Sequence, residues 1–224
     1  MTMAAQRVAG EPQKLREQAY EGYTRSVLMG ELRPGQFITQ RELVEITGFP
    51  LGAIRELVPR LEAEGLIVTV PQRGMQVPQV DLKLVRNAFQ FREFLEVAAV
   101  RLFTRSAPPQ QIARIRADHE TILRRHAAGE DGDLMTEAES VDRRMHEQII
   151  DSLDNAIVSN AYRVNWIKIK LIRLAETRLY VPMIPQVIGE HMKIIEAIEA
   201  GDEEAAAGAM RTHIEVARRR AVDL

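Results

Sequence analysis

The sequence predicts a mainly α-helical protein in two parts. One is a small N-terminal helical unit that ends in a β-hairpin, residues 1–78. The other is a larger all-α helical bundle, residues 79–224. Three observations carry this. Ala, Leu, Ile, Glu and Arg abound, while aromatic residues make up only 5 % of the 224-residue chain, a balance that favours helix over sheet. The β-branched run Leu66-Ile-Val-Thr-Val70 is followed by Pro71-Gln-Arg-Gly74 and a second short run from Met75 to Val80, which reads as strand, turn, strand. Beyond Asp81, apolar residues recur only at helical spacing, with Pro and Gly as punctuation.

The elements follow in order. Residues 1 to 11 carry no periodic pattern. Leu15, Ala19, Tyr23 and Val27 lie four apart on one face of a helix over 13–29. Thr39 and Glu42 form a capping box that opens a short helix to Ile46, stopped at Gly48. The next helix runs from Leu51 to Glu64, with Gly65 as its stop. Pro59 lies inside it, where it removes one backbone hydrogen bond and costs on the order of 3 kcal/mol. Asp81 then caps the first helix of the bundle. The predicted bundle helices span 82–105, 108–128, 133–151, 155–180, 186–200 and 202–221. Pro182 and Pro185 bracket a loop, while Gly201 and Asp202 act as stop and start between the last two helices.

Bulk properties narrow the function. The formal net charge is −2, and residues 1–80 hold nine Lys or Arg against nine Asp or Glu, so no global basic field announces nucleic acid. The chain has no Cys, which excludes disulfides and thiolate chemistry. No run approaches the ~18 apolar residues of a membrane span, and the N-terminal stretch lacks a signal-peptide core. The expectation is a soluble cytoplasmic protein with no membrane partner.

Two short helices, a tight turn at Gly48 and a hairpin behind them form a winged helix-turn-helix. In such a module the second helix enters the major groove, and its N-terminal residues meet base edges and phosphates. That places Arg55 one turn into the reading helix and Arg41 at the start of the helix before it. Gly52 offers bare backbone N–H to a phosphate, and Leu51 offers either an apolar contact such as a thymine methyl takes or no base readout at all. Arg73 and Gly74 sit at the tip of the wing, where Arg can enter a minor groove or hold phosphate.

The stretches Gly30-Glu-Leu-Arg-Pro-Gly35, Arg41-Glu-Leu43, Ile54-Arg-Glu56, Leu61-Glu-Ala-Glu-Gly-Leu66 and Pro71-Gln-Arg-Gly74 resemble the winged helix of GntR-type regulators. The whole chain resembles their FadR-like branch. That family usually opens its recognition helix with Ser-Arg-Thr-Pro-Val-Arg-Glu-Ala-Leu. Here Pro50, Leu51 and Gly52 replace the Ser, the first Arg and the Thr, while Arg55 and Glu56 are kept. Pro50 is expected to serve as a pre-set first-turn residue in place of the Ser cap. The family's operator sequence is therefore not carried over.

A second pattern lies in the bundle. Asp142 and His146 are four apart on one helix face. His191 is ten residues before Gly201, and His213 is eleven after Asp202. In an antiparallel pair both imidazoles stand at one level, roughly 15–17 Å from the hinge. Three imidazoles and a carboxylate suit a divalent metal ion such as zinc, nickel, cobalt, manganese or iron. His119 and His126 have no such partners and are expected at the surface. The same residues resemble the metal-binding motif of the FCD domain in FadR-like regulators, read here as Asp142-Arg-Arg-Met-His146, Glu190-His-Met-Lys-Ile194 and Thr212-His213. The resemblance implies a small carboxylate effector completing the metal's coordination. It also implies an effector contact at Arg92, whose guanidinium fork matches a carboxylate; a salt bridge to Glu96 is the alternative. Tyr162, Asn165, Trp166 and Arg173 are further candidates to line the pocket.

The function expected is a transcriptional regulator, a repressor, that binds a palindromic DNA operator as a homodimer and responds to a small organic acid, with no catalytic residues. Alternatives are a metal-dependent hydrolase or lyase that uses the Asp/His site, and a regulator that senses the metal itself.

Overall fold

The structure, a computed structural model, describes residues 12–130, 132–176 and 181–222. It divides into two compact units between Val80 and Asp81.

The first unit contains α1 (Pro12–Leu28), β1 (Phe37–Ile38), α2 (Gln40–Thr47), α3 (Leu51–Ala63), β2 (Val68–Val70) and β3 (Gly74–Gln76). Its core gathers Ala19, Tyr23 and Val27 of α1 with Leu43 of α2 and Ile54, Leu57 and Leu61 of α3. The Tyr23 hydroxyl donates to the Leu66 carbonyl at 2.7 Å and fastens α1 to the end of α3. The capping box is present: Glu42 N–H donates to the Thr39 hydroxyl, and the Glu42 carboxylate accepts from Thr39 N–H. Gly48, with φ of 74°, closes α2.

Three local expectations are corrected. The sheet has three strands in the order β1-β3-β2, all antiparallel, not two. Its extra strand is two residues long, too short to show alternation in sequence, and exists only through pairing with β3. Leu66 and Ile67 belong to the core and not to a strand. Leu66 N–H bonds the Leu61 carbonyl and Gly65 N–H the Glu62 carbonyl, so Leu66 is consumed by the helix-ending motif. Finally, Pro50 is the residue before the helix rather than its first turn, and no side chain caps α3. Pro59 leaves α3 unbroken and lies on its exposed face, as does Arg55, whose carbonyl loses its helical donor to the proline.

The second unit is α4 (Leu82–Ser106), α5 (Pro109–Ala127), α6 (Leu134–Asp151), α7 (Ala156–Glu176), α8 (Ile184–Glu199) and α9 (Glu203–Val222). Asp81 caps α4 by accepting from Leu84 N–H at 2.6 Å. Asp202 caps α9 by accepting from Ala205 N–H at 2.9 Å, one residue after Gly201 turns left-handed at φ 69°. The expected loop between Pro182 and Pro185 is instead a single 3-10 turn, Val181–Met183, leading into α8. Pro185 fits there because first-turn N–H groups have no intrahelical partner to lose. The predicted end of α7 at residue 180 lies outside the described residues. α4 lies against α9, α7 and α6, while α8 bridges α5 and α9. The imidazole-bearing helices therefore converge on the middle of α4. No described helix is long and apolar enough to cross a membrane.

Candidate functional site

Asp142, His146, His191 and His213 come together in the bundle: one ligand-type atom from each lies within 4.8 Å of all the others, and all four residues are buried. Helical spacing puts Asp142 and His146 on one face of α6. The tight α8–α9 connection brings the His191 and His213 rings to a centroid separation of 4.6 Å. Asp142 Oδ1 lies 3.2 Å from His191 Nε2 and 3.5 Å from His146 Nε2.

Each imidazole is held from behind. His146 Nδ1 lies 2.6 Å from Glu96 Oε2, an ion-pair contact rather than an aligned hydrogen bond. His213 Nδ1 lies 3.0 Å from Glu190 Oε2. His191 Nδ1 lies 3.1 Å from His119 Nε2, and His119 Nδ1 lies 2.7 Å from the Ile115 carbonyl. A carbonyl only accepts, so His119 carries its proton on Nδ1 and presents Nε2 as an acceptor. His191 must then carry its proton on Nδ1. The Nε2 lone pairs of His191 and His213 are left facing the cluster, and those atoms and Asp142 Oδ1 are buried without a hydrogen-bond partner among the described residues. Buried polar atoms are normally satisfied. Three orphaned acceptors meeting at one point are what a cation would require.

The electrostatics agree. Burial pushes the His191 imidazole down to about 4. Burial, reinforced by the other imidazoles, holds His213 well below its ordinary value. For Asp142, burial opposes ionisation, but the Arg173 guanidinium and the neighbouring His146 and His191 rings overcome it and hold the carboxyl well below the usual range. Glu96 likewise drops to about 2: burial opposes this, and Arg92 and His146 outweigh it. His146 is raised, since Glu96 and Asp142 overcome the effect of burial. The cluster is thus a carboxylate with mainly neutral imidazoles, the protonation state a metal needs.

His119 is not at the surface: it is 1 % exposed and holds His191 in place. Its role is invisible in sequence because α5 carries none of the four clustered residues. Arg92 is fully buried and bonds Glu96 through Nε at 2.6 Å and Nη2 at 3.3 Å. The salt-bridge alternative is therefore present, and Arg92 does not line the open cleft beside the cluster. Tyr162 donates to Glu96 at 2.9 Å and Asn165 to the Ala88 carbonyl at 3.1 Å, both buried. The Trp166 ring lies tilted beside the His146 ring, 5.9 Å between centroids.

The cleft itself, about 60 Å³ and open to solvent, has Asp142 and His213 at its floor and the Arg173 and Arg220 side chains on its wall. Of the four candidate lining residues, Arg173 alone reaches it. Arg173 bonds Asp142 Oδ2 at 2.8 Å. Arg220 bonds Glu190, the carboxylate that holds His213.

In the first unit, Arg41, Gly52, Arg55, Arg73 and Gly74 are exposed and Leu51 is half-buried. A Cβ added at Gly52 would meet nothing within 4 Å, so packing does not call for this helical glycine. Gly74 differs: its φ is 90°, and a Cβ there would lie 3.2 Å from the Ile38 carbonyl, so the sheet itself requires it. The Arg73 guanidinium lies over the Phe37 ring at 4.0 Å.

Residues 15–77 match the family described as bacterial regulatory proteins, gntR family, and residues 87–216 match the FCD domain. A Streptomyces ambofaciens protein described as an uncharacterized HTH-type transcriptional regulator in an unstable DNA locus is 28 % identical over 200 residues, covering 89 % of this chain and 81 % of that one. The solved structure of Escherichia coli McbR/YncC has a TM-score of 0.81 at 19 % identity, covering 93 % of this chain and 97 % of that one. The metal-free FCD domain of another transcriptional regulator has a TM-score of 0.53 at 22 % identity, covering 64 % of this chain and 95 % of that one. With a gntR-type helix-turn-helix followed by an FCD domain, the chain belongs to the GntR family and is a DNA-binding transcriptional regulator.

Proposed function

We propose that this regulator is a repressor of the FadR-like branch, whose hold on a palindromic operator is set by a small carboxylate bound at a divalent metal site in the helical bundle. The observation that carries the metal is the convergence of Asp142 Oδ1 and the His191 and His213 Nε2 atoms, each buried and without a partner, with His146 beside them. Asp142, His146, His191 and His213 would hold the ion, and zinc suits a nitrogen-rich set with one carboxylate. The ion would supply a fixed positive charge at the cleft floor. The chain's own residues do the rest: Arg173 and Arg220 draw a carboxylate in from the cleft, and Arg92 supports the site from the bundle interior, where its Nη1 has no hydrogen-bond partner among the described residues.

Operator contact falls to Arg41, Leu51, Gly52, Arg55, Arg73 and Gly74. The uncapped N-terminus of α3 leaves its first N–H groups for phosphate, and Arg55 stands one turn further along. A homodimer suits this reading because a palindrome presents two equivalent half-sites. The exposed Phe94 and Leu102 of α4, at 68 % and 44 %, give the bundle an apolar stripe that a second copy could cover.

The test is a titration of the purified protein against labelled DNA from upstream of its own and neighbouring genes, with competitor DNA, alongside metal analysis by mass spectrometry. Selective, salt-sensitive binding with one metal per chain is expected. His191→Ala should lose metal and effector response and keep apo DNA binding. A normal effector response in that metal-free variant would overturn the coupling.

A further inference from the structure

We propose that the cleft selects carboxylic acids with a hydrocarbon body, alkanoic or aryl-alkanoic, over hydroxy acids, sugar acids and polycarboxylates. This rests on the metal-and-carboxylate reading above and names the ligand class it leaves open. The cleft draws its side chains from five helices, and their polar groups form one connected set. Arg173 holds Asp142, Asp142 lies beside His191 and His213, and His213 and Arg220 share Glu190. That set is one polar end. Glu139, the remaining charged lining residue, is already taken by Lys170 at 2.6 Å. The rest of the wall is hydrocarbon or thioether, including Phe89, Met135, Met183, Val187, Ile188 and Ala217.

No described side chain lining the cleft carries a neutral hydroxyl or a carboxamide. The apolar wall sets the specificity. A carboxylate has a matched end. A hydroxyl or second carboxylate further along the ligand, past the reach of Arg173 and Arg220, would meet apolar wall. Leaving such a group unpaired lowers affinity by roughly tenfold. A methylene placed on the same wall raises affinity by roughly fourfold.

The experiment is calorimetric titration of the zinc-loaded full-length protein with acetate, butanoate, hexanoate and octanoate, then with citrate and gluconate. The expected result is a Kd that falls by roughly fourfold per added methylene, with citrate and gluconate weaker than octanoate. Val187→Ser, at a half-buried wall position, should reduce the gain of octanoate over acetate, with helicity and zinc content checked in parallel. A flat series, or tighter binding of citrate or gluconate than octanoate, would overturn the inference and leave the metal-and-carboxylate reading standing. No binding of any of these acids would overturn both.

Discussion

Replacing His119 by Leu separates a metal site held by its surroundings from a mere coincidence of ligands. His119 touches His191 and not the cluster centre. Its Nε2 accepts from His191 Nδ1 at 3.1 Å, which is the contact that turns the His191 Nε2 lone pair inward. Leucine leaves that Nδ1–H buried with no acceptor, at a cost of about 1–3 kcal/mol. His191 can escape the cost only by moving its proton to Nε2, where it blocks the metal. Both routes lower metal affinity, and partners of this kind are worth roughly 10- to 100-fold. His119→Gln can present a carboxamide oxygen to the same N–H and should lose much less. The assay is competition for zinc against a chelator of known affinity at pH 7.5, with circular-dichroism melts to confirm that each variant is folded. Wild-type zinc affinity in a folded His119→Leu protein would refute the reasoning. So would equal losses in the Leu and Gln variants, because the argument turns on the acceptor and not on bulk.

Gly52→Ala should move stability and function in opposite directions. With nothing within 4 Å of the added Cβ, the helix gains about 0.5–1 kcal/mol, while the methyl group hinders phosphate at the α3 N-terminus; tighter operator binding in gel shift would count against that placement. Arg73→Ala should lower the slope of log affinity against log salt by roughly one unit and leave sequence preference unchanged, and a change in preferred sequence would assign Arg73 to base reading instead. In the metal-free protein, thermal stability should fall between pH 7.5 and 5. The depressed pKa values of His119, His191 and His213 mean that the folded chain refuses protons the unfolded chain takes up. The stability they allow is complete above about 6.5 and is lost as pH falls from there towards about 4 for His191, where that group alone accounts for on the order of 3 kcal/mol. His146 is raised and opposes them, one against three. A melting temperature that is flat or rising on acidification would contradict this.

What the sequence made legible follows from the range of the physics involved. Helix ends were readable because caps are local: Thr39 with Glu42, Asp81, and Gly201 with Asp202 each act within four residues. The four clustered residues were readable because i, i+4 spacing and a short hinge fix geometry without knowledge of the rest of the fold. The supports behind them depend on which helix packs where. His119 reaches His191 across 72 positions and Tyr162 reaches Glu96 across 66, and neither pairing has a local pattern. Arg92 is a different case. Its place in sequence suits a ligand contact, and the fold buries it fully, bonded to Glu96 and beside His146. The open cleft instead takes its guanidinium groups from Arg173 and Arg220, the second of which lies near the end of α9, where a basic residue also reads as a helix-dipole partner.

The same arrangement bears on how a ligand could reach the DNA-binding unit. A buried set of orphaned acceptors destabilises the metal-free bundle, so metal affinity is in part folding free energy. An ion held for that reason is a poor signal, since removing it loosens α6, α8 and α9 together rather than shifting one contact. A carboxylate entering the cleft acts on less. On the proposed reading it would compete with Asp142 for Arg173 and with Glu190 for Arg220, two pairs at side chains 17 % and 19 % exposed. Only a difference in affinity between two states can move the equilibrium, and these two arginine pairs are where the bundle would offer one without giving up the proposed metal ion. That favours an organic acid as the signal over the metal itself, and it makes Arg173→Lys and Arg220→Lys the substitutions that should uncouple effector from operator while the zinc stays bound.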